Sequence, residues 1–184
     1  MLVSSFGRPY PPPMHYPSMP PLRLASVNVL TDLGWCAGTF HVPGRQSLVD
    51  FLAPGNHVVK LTRVRIPNES ERLPFIGFRR EAILVVEPTQ ADELVDTPGS
   101  VGRTSIHQVG CLLPAGILQG SLEVLVNVRV SDYLRQQPGL AVLRDCALVP
   151  YGQSADSSQA RRIRCALVNL SRVSGVAEWL NQQV

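Results

Sequence analysis

Short motifs in the first half of this chain return, in the same order, in the second. Gly38-Thr39-Phe40-His41-Val42 is answered by Gly120-Ser121-Leu122-Glu123-Val124, and Leu48-Val49-Asp50-Phe51-Leu52 by Val130-Ser131-Asp132-Tyr133-Leu134. Both matches lie 82 positions apart (38 to 120, 48 to 130). Gly34 is answered by Gly116, Pro54-Gly55 by Pro138-Gly139, residues 60–67 by 142–150, and residues 78–86, more loosely, by 167–176. Each match is weak alone. Their shared order at a nearly constant offset is what marks an internal duplication.

Periodicity says what the repeated unit is. Val27, Val29 and Thr31 alternate with their neighbours, Asp32-Leu33-Gly34 supplies a turn, and residues 35–42 form a second strand, which makes a hairpin. Ser47 is placed to cap a short helix over 48–52 that Pro54-Gly55 ends. A third strand follows with Val59, Leu61 and Val64 as core positions, then a polar loop from Pro67 to Pro74. Residues 75–78 and 82–86 read as two strands, or one bent strand, around Arg79-Arg80-Glu81. A unit of roughly 65 residues buries only about 60% of its unfolded surface. A substantial interface between the two halves is therefore expected.

The expected fold is mainly β: two tandem small barrel-like units, each with one short helix, after an extended Pro-rich N-terminal tail. The boundaries are 1–24 for the tail, 25–87 for the first unit, 88–103 for a linker rich in Pro, Gly, Thr and acidic residues, and 104–184 for the second unit. Prolines 9, 11, 12, 13, 17, 20 and 21 keep the tail out of sheet or helix. It can be a plain spacer or a strap docking Tyr10, Pro12, Met14, Tyr16 and Met19 on a partner; a spacer needs neither tyrosine nor methionine.

The run from Ser26 to Val86 resembles the Sm-like small barrel. The residues that carry the likeness are the turn Thr31-Asp32-Leu33-Gly34, the glycine inside Cys36-Ala37-Gly38-Thr39-Phe40, and the closing strand after an arginine-containing turn in residues 77–86. The pattern is also similar to small uncharacterised bacterial domains with strand–strand–helix–strand–strand order. Such proteins that bind RNA use an Arg-Gly step, whereas here Arg80 precedes Glu81 and Arg172 precedes Val173. What the resemblance implies is assembly through sheet edges.

Chemistry is sparse. Cys36, Cys111, Cys146 and Cys165 are far apart in apolar stretches, without CxxC or Cys/His ligand spacing, and read as buried free thiols in a cytoplasmic protein. His15, His41, His57 and His107 show no metal-binding spacing, although His41 and His57 could meet in the first unit. No GxSxG, GxxxxGK or GxGxxG occurs. No catalytic residue, metal site or cofactor is expected. The apolar run from Val109 to Val130 is broken by Pro114, Gly116, Gly120 and Glu123, so it is not a membrane span.

A net charge of +3 neither demands nor excludes nucleic acid. Lys60 is the only lysine; arginine supplies every other positive side chain. Arg63, Arg65, Arg79, Arg80, Arg161, Arg162 and Arg164 are the candidate contacts for an anion or nucleic acid. The expected role is a non-enzymatic structural or adaptor subunit that docks through its tail and barrel surfaces, with protein partners or self-assembly. The alternative is an RNA- or DNA-binding module using the arginines.

Overall fold

Alternating apolar residues give the described residues ten strands and two short α-helices. The computed structural model describes residues 21–90 and 102–179, except 45, 54, 56, 68, 138 and 154–157. In the first half β1 (Leu22–Thr31) and β2 (Gly34–Pro43) form a hairpin. They are followed by α1 (Leu48–Phe51), β3 (Val58–Arg65), β4 (Arg72–Arg79) and β5 (Ile83–Pro88). The second half runs β6 (Thr104–Leu113), β7 (Gly116–Leu125), α2 (Val130–Gln136), β8 (Leu140–Val149), β9 (Arg161–Asn169) and β10 (Gly175–Trp179). A single 3-10 turn, Arg80–Ala82 or Leu170–Arg172, precedes the last strand of each half.

The halves have the same pairing. β1 lies between β2 and β5, as β6 lies between β7 and β10. Val29 faces Val86, and Cys111 faces Val176; Phe40 faces Leu61, and Leu122 faces Leu143; Leu61 faces Ile76, and Leu143 faces Ala166. The offset is 82 up to the third strand (61 to 143) and 90 afterwards (76 to 166), because the β8–β9 connection is longer. Gly34 and Gly116 sit at positive φ, 109° and 138°, where each hairpin turns and a side chain would be strained.

All strand pairs are antiparallel, and they make one open ten-stranded sheet in the order β10-β6-β7-β8-β9-β5-β1-β2-β3-β4. The joint between the halves is β5 on β9, with Val85 opposite Val168 and Val86 opposite Leu167. Where they meet, both strands are apolar runs, Ile83–Val86 in β5 and Cys165–Val168 in β9, as strands covered on two faces must be. Each feeds two buried clusters. Val86, Cys165 and Leu167 pack with Ala25, Val27, Phe40, Leu48 and Leu61, while Val85, Ala166 and Val168 pack with Val109, Leu118, Leu122 and Leu143.

Local signals explain the details. Ser47 caps α1: its Oγ accepts from the Asp50 amide at 3.0 Å and donates to Asp50 Oδ2 at 2.7 Å. Val59 and Leu61 are buried, as alternation requires, and Val64 is buried three positions on because the ladder shifts register at Arg63. Two boundaries differ from expectation. β1 begins at Leu22, because its pairing with Pro43 carries the hairpin into what reads as tail. β4 begins at Arg72, so Pro74 lies in a strand rather than a loop, tolerated because β4 is an edge.

Candidate functional site

The side chains that hold the two halves together include two ion pairs, Glu87–Arg161 and Asp32–Arg172. Glu87, on β5, accepts from Arg161 Nη2 at 2.6 Å and from Asn28 Nδ2 at 3.0 Å. The same Arg161 guanidinium lies 3.9 Å from the centre of the Trp35 ring. At the other end of the joint, Asn169 is buried and donates from Nδ2 to the carbonyls of Ile83 (2.9 Å) and Arg80 (3.3 Å). Arg172 Nη2 donates to both carboxylate oxygens of Asp32, at 2.7 and 3.0 Å. All of these contacts but Asn28–Glu87, which lies within the first half, cross from one half to the other.

Beside Trp35 is a cleft of about 470 Å3. Its charged lining is Arg65, Arg72 and Arg161 against Glu69 and Glu71. Of the seven arginines singled out by the sequence, the structure brings Arg65 and Arg161 together here. Arg79 stands at the far end of the β3–β4 hairpin, opposite Val58, with Arg80 next to it. Arg63 and Arg164 are exposed. Arg162 stands in the β8–β9 ladder opposite Ala147. Tyr10, Pro12, Met14, Tyr16 and Met19 lie outside the described residues.

One constellation gives no signal at the level of motifs. Ser105 Oγ is 2.8 Å from His107 Nε2, and His107 Nδ1 is 2.7 Å from Glu178 Oε1. Ser105 and His107 share a face of β6 because they are two apart, and Glu178 arrives from β10, paired opposite Val109. The hydrogen-bond order is that of an acyl-transfer triad. Ser105 Oγ also lies 3.4 Å from the Val124 carbonyl, across the β6–β7 ladder, and Glu178 is largely exposed. The chain of contacts ties the last strand to β6. His41 meets not His57 but Thr62, with Nε2 2.9 Å from Oγ1.

The four cysteines are free and buried. Burial pushes Cys36 and Cys111 up to about 11 and Cys146 up to about 12, so none is poised as a thiolate. Among the described residues no cluster of His, Cys, Asp and Glu could hold a metal ion, and no helix is long and apolar enough to cross a membrane. No family model matches this chain, and neither does any curated protein or solved structure.

Proposed function

We propose that this chain is a non-enzymatic structural subunit of a larger protein assembly, its halves curled into barrel-like units of the Sm-like kind. It docks through its Pro-rich tail and through the edges of the sheet. One observation carries the reading. Phe75-Ile76-Gly77-Phe78 is as apolar as the internal strands, yet it lies in the outer strand β4, with Phe75 57% exposed. An exposed apolar edge is a template for pairing with another chain, and proteins that work alone blunt it. Four buried thiols suit a reducing cytoplasm.

The test is native mass measurement of the protein taken from its own cells. The expected result is a complex well above the 20.1 kDa of one chain. A lone chain, with no companion after gentle isolation, would overturn the proposal.

The nucleic-acid reading is supported by a cleft that Arg65, Arg72 and Arg161 share with the Trp35 ring, over which Arg161 lies. It is weakened by Glu69, Glu71 and Glu87, which neutralise the same cleft. It predicts RNA or DNA affinity that falls steeply with salt. No mobility shift at low salt removes it.

A further inference from the structure

The second half has an open cleft where the first half has a neighbouring strand. In the first half, Ala25, Leu48, Leu52 and Val86 share one buried cluster with Cys165 and Leu167, which β9 delivers across the joint. The matching positions in the second half are His107, Val130 and Leu134, each 82 further on, and Val176, 90 further on. These four line a cleft of about 560 Å3. They stand beside β10, which matches β5 in its half but is an outer strand of the sheet.

The other outer strand completes the pattern. β4 matches β9, and the residues matching Cys165 and Leu167, 90 positions earlier, are Phe75 and Gly77. Phe75 stands out from the edge beneath the Lys60 ammonium, 4.8 Å from the ring centre. The molecule thus carries a joint between β5 and β9, and at its two ends the same two halves of that joint, one on β10 and one on β4.

We propose that a second copy of this chain lays its β4 antiparallel along β10 in the register of the internal joint. Gly77 of one copy then faces Val176 of the other, and Phe78 faces Gly175. Phe75 enters the cleft bounded by His107, Val130, Leu134 and Val176. The inference rests on reading the chain as an assembly subunit.

The volumes exchange sensibly. The internal joint offers a small residue at Cys165 and a large one at Leu167; β4 offers a large one at Phe75 and none at Gly77. Pro74 has no amide hydrogen, but the internal joint pairs only Leu167 and Val168, whose counterparts are Gly77 and Phe78. The ion pairs are not repeated. Glu87 and Arg161 correspond to Ala177 and Glu71, and Asp32 and Arg172 to Pro114 and Ala82. The joint between copies therefore lacks the two ion pairs of the internal joint, and its cleft places His107, Arg129 and Glu178 beside the apolar Val130, Leu134 and Val176. Each copy gives one edge and receives one, and the series leaves no bare edge when it closes on itself.

Full-length Gly77→Cys and Val176→Cys variants, both carrying Cys111→Ser because Cys111 faces Val176, prepared separately, mixed and oxidised, test the joint. The expected product is a disulfide-linked dimer from the mixture and none from either variant alone. The remaining native thiols are buried and do not compete. Native mass of the purified wild type is expected at one discrete multiple of 20.1 kDa. Phe75→Asp is expected to reduce it to a single chain with its circular dichroism preserved, since Phe75 is exposed. A wild type that stays a single chain at concentrations on the order of 10 µM, or a cross-link that forms equally in the unmixed variants, overturns the inference. A pure single chain that still enters a larger complex in its own cells would refute the joint between copies and leave the proposed function standing.

Discussion

Arg63 and Asp145 occupy the same left-handed backbone conformation 82 positions apart, with φ of 52° and 49°. Each sits at an irregularity in its ladder, opposite the step between Ala37 and Thr39 or between Gln119 and Ser121. A bulge inserts one residue, bends the strand and raises its twist. The two halves have kept this bend while replacing an arginine with an aspartate, so its shape matters more than its charge.

That conformation costs a residue with a long side chain about 1–2 kcal/mol, against about 0.5–1 kcal/mol of extra chain entropy for glycine. Arg63→Gly is therefore expected to stabilise the protein by about 0.5–1 kcal/mol. Asp145→Gly should gain less, because aspartate tolerates this region better. Urea unfolding measures both; a loss of stability at Arg63 would show that the bend is not strained.

Gly38 and Gly120 stand where the third strand of each half passes close by. A Cβ at Gly38 would lie 2.6 Å from Leu61 Cγ and 2.8 Å from the Thr62 carbonyl oxygen. At Gly120 it would lie 2.9 Å from Cys146 Sγ. Alanine at either position is expected to cost about 1–3 kcal/mol by overpacking, with Gly38→Ala the worse, since it meets backbone below 3 Å. Thermal melts of the two variants decide the order.

Leu167 belongs to the second half and is buried in the first half's core. Leu167→Ala is expected to cost about 2–5 kcal/mol. Amide exchange should speed up in β1 and β2 as well as in β8 and β9. Acceleration confined to the second half would show that the cores are independent.

The buried thiols set a pH dependence. Cys36, Cys111 and Cys146 are raised from 9.0 to about 11, 11 and 12. Between those values the unfolded chain has released protons that the folded chain still holds, so stability is full below pH 9 and falls as pH rises towards 11–12. Denaturant titrations from pH 8 to 10.5 should show the decline, and replacing Cys146 with alanine should flatten it. At pH 8, iodoacetamide is expected to leave these cysteines unmodified until the protein is unfolded.

Much of the local structure was legible in the sequence. Ser47 announced α1, Asp32-Leu33-Gly34 announced the first turn, and the apolar residues Val59, Leu61 and Val64 among polar neighbours announced a core strand. The matched motifs at an offset of 82 correspond to matched strand registers. Pairing between distant strands was not legible, because periodicity fixes which face of a strand is buried and is silent on which strand lies beside it. The apolar runs in β5 and β9 said that something covers both faces; only the fold shows that they cover each other. Ser105, His107 and Glu178 escaped notice for a related reason, since two of them are neighbours in one strand and the third arrives 71 residues later.

β5 and β9 each donate side chains to both cores, and this has a consequence for the chain's ancestry. A duplicated unit usually begins as two modules that can be separated, lost or shuffled. Here cutting the chain between the copies would strip Cys165 and Leu167 from one core and Leu84 and Val85 from the other. The duplication has become irreversible: the two repeats now inherit, and lose, their fold together.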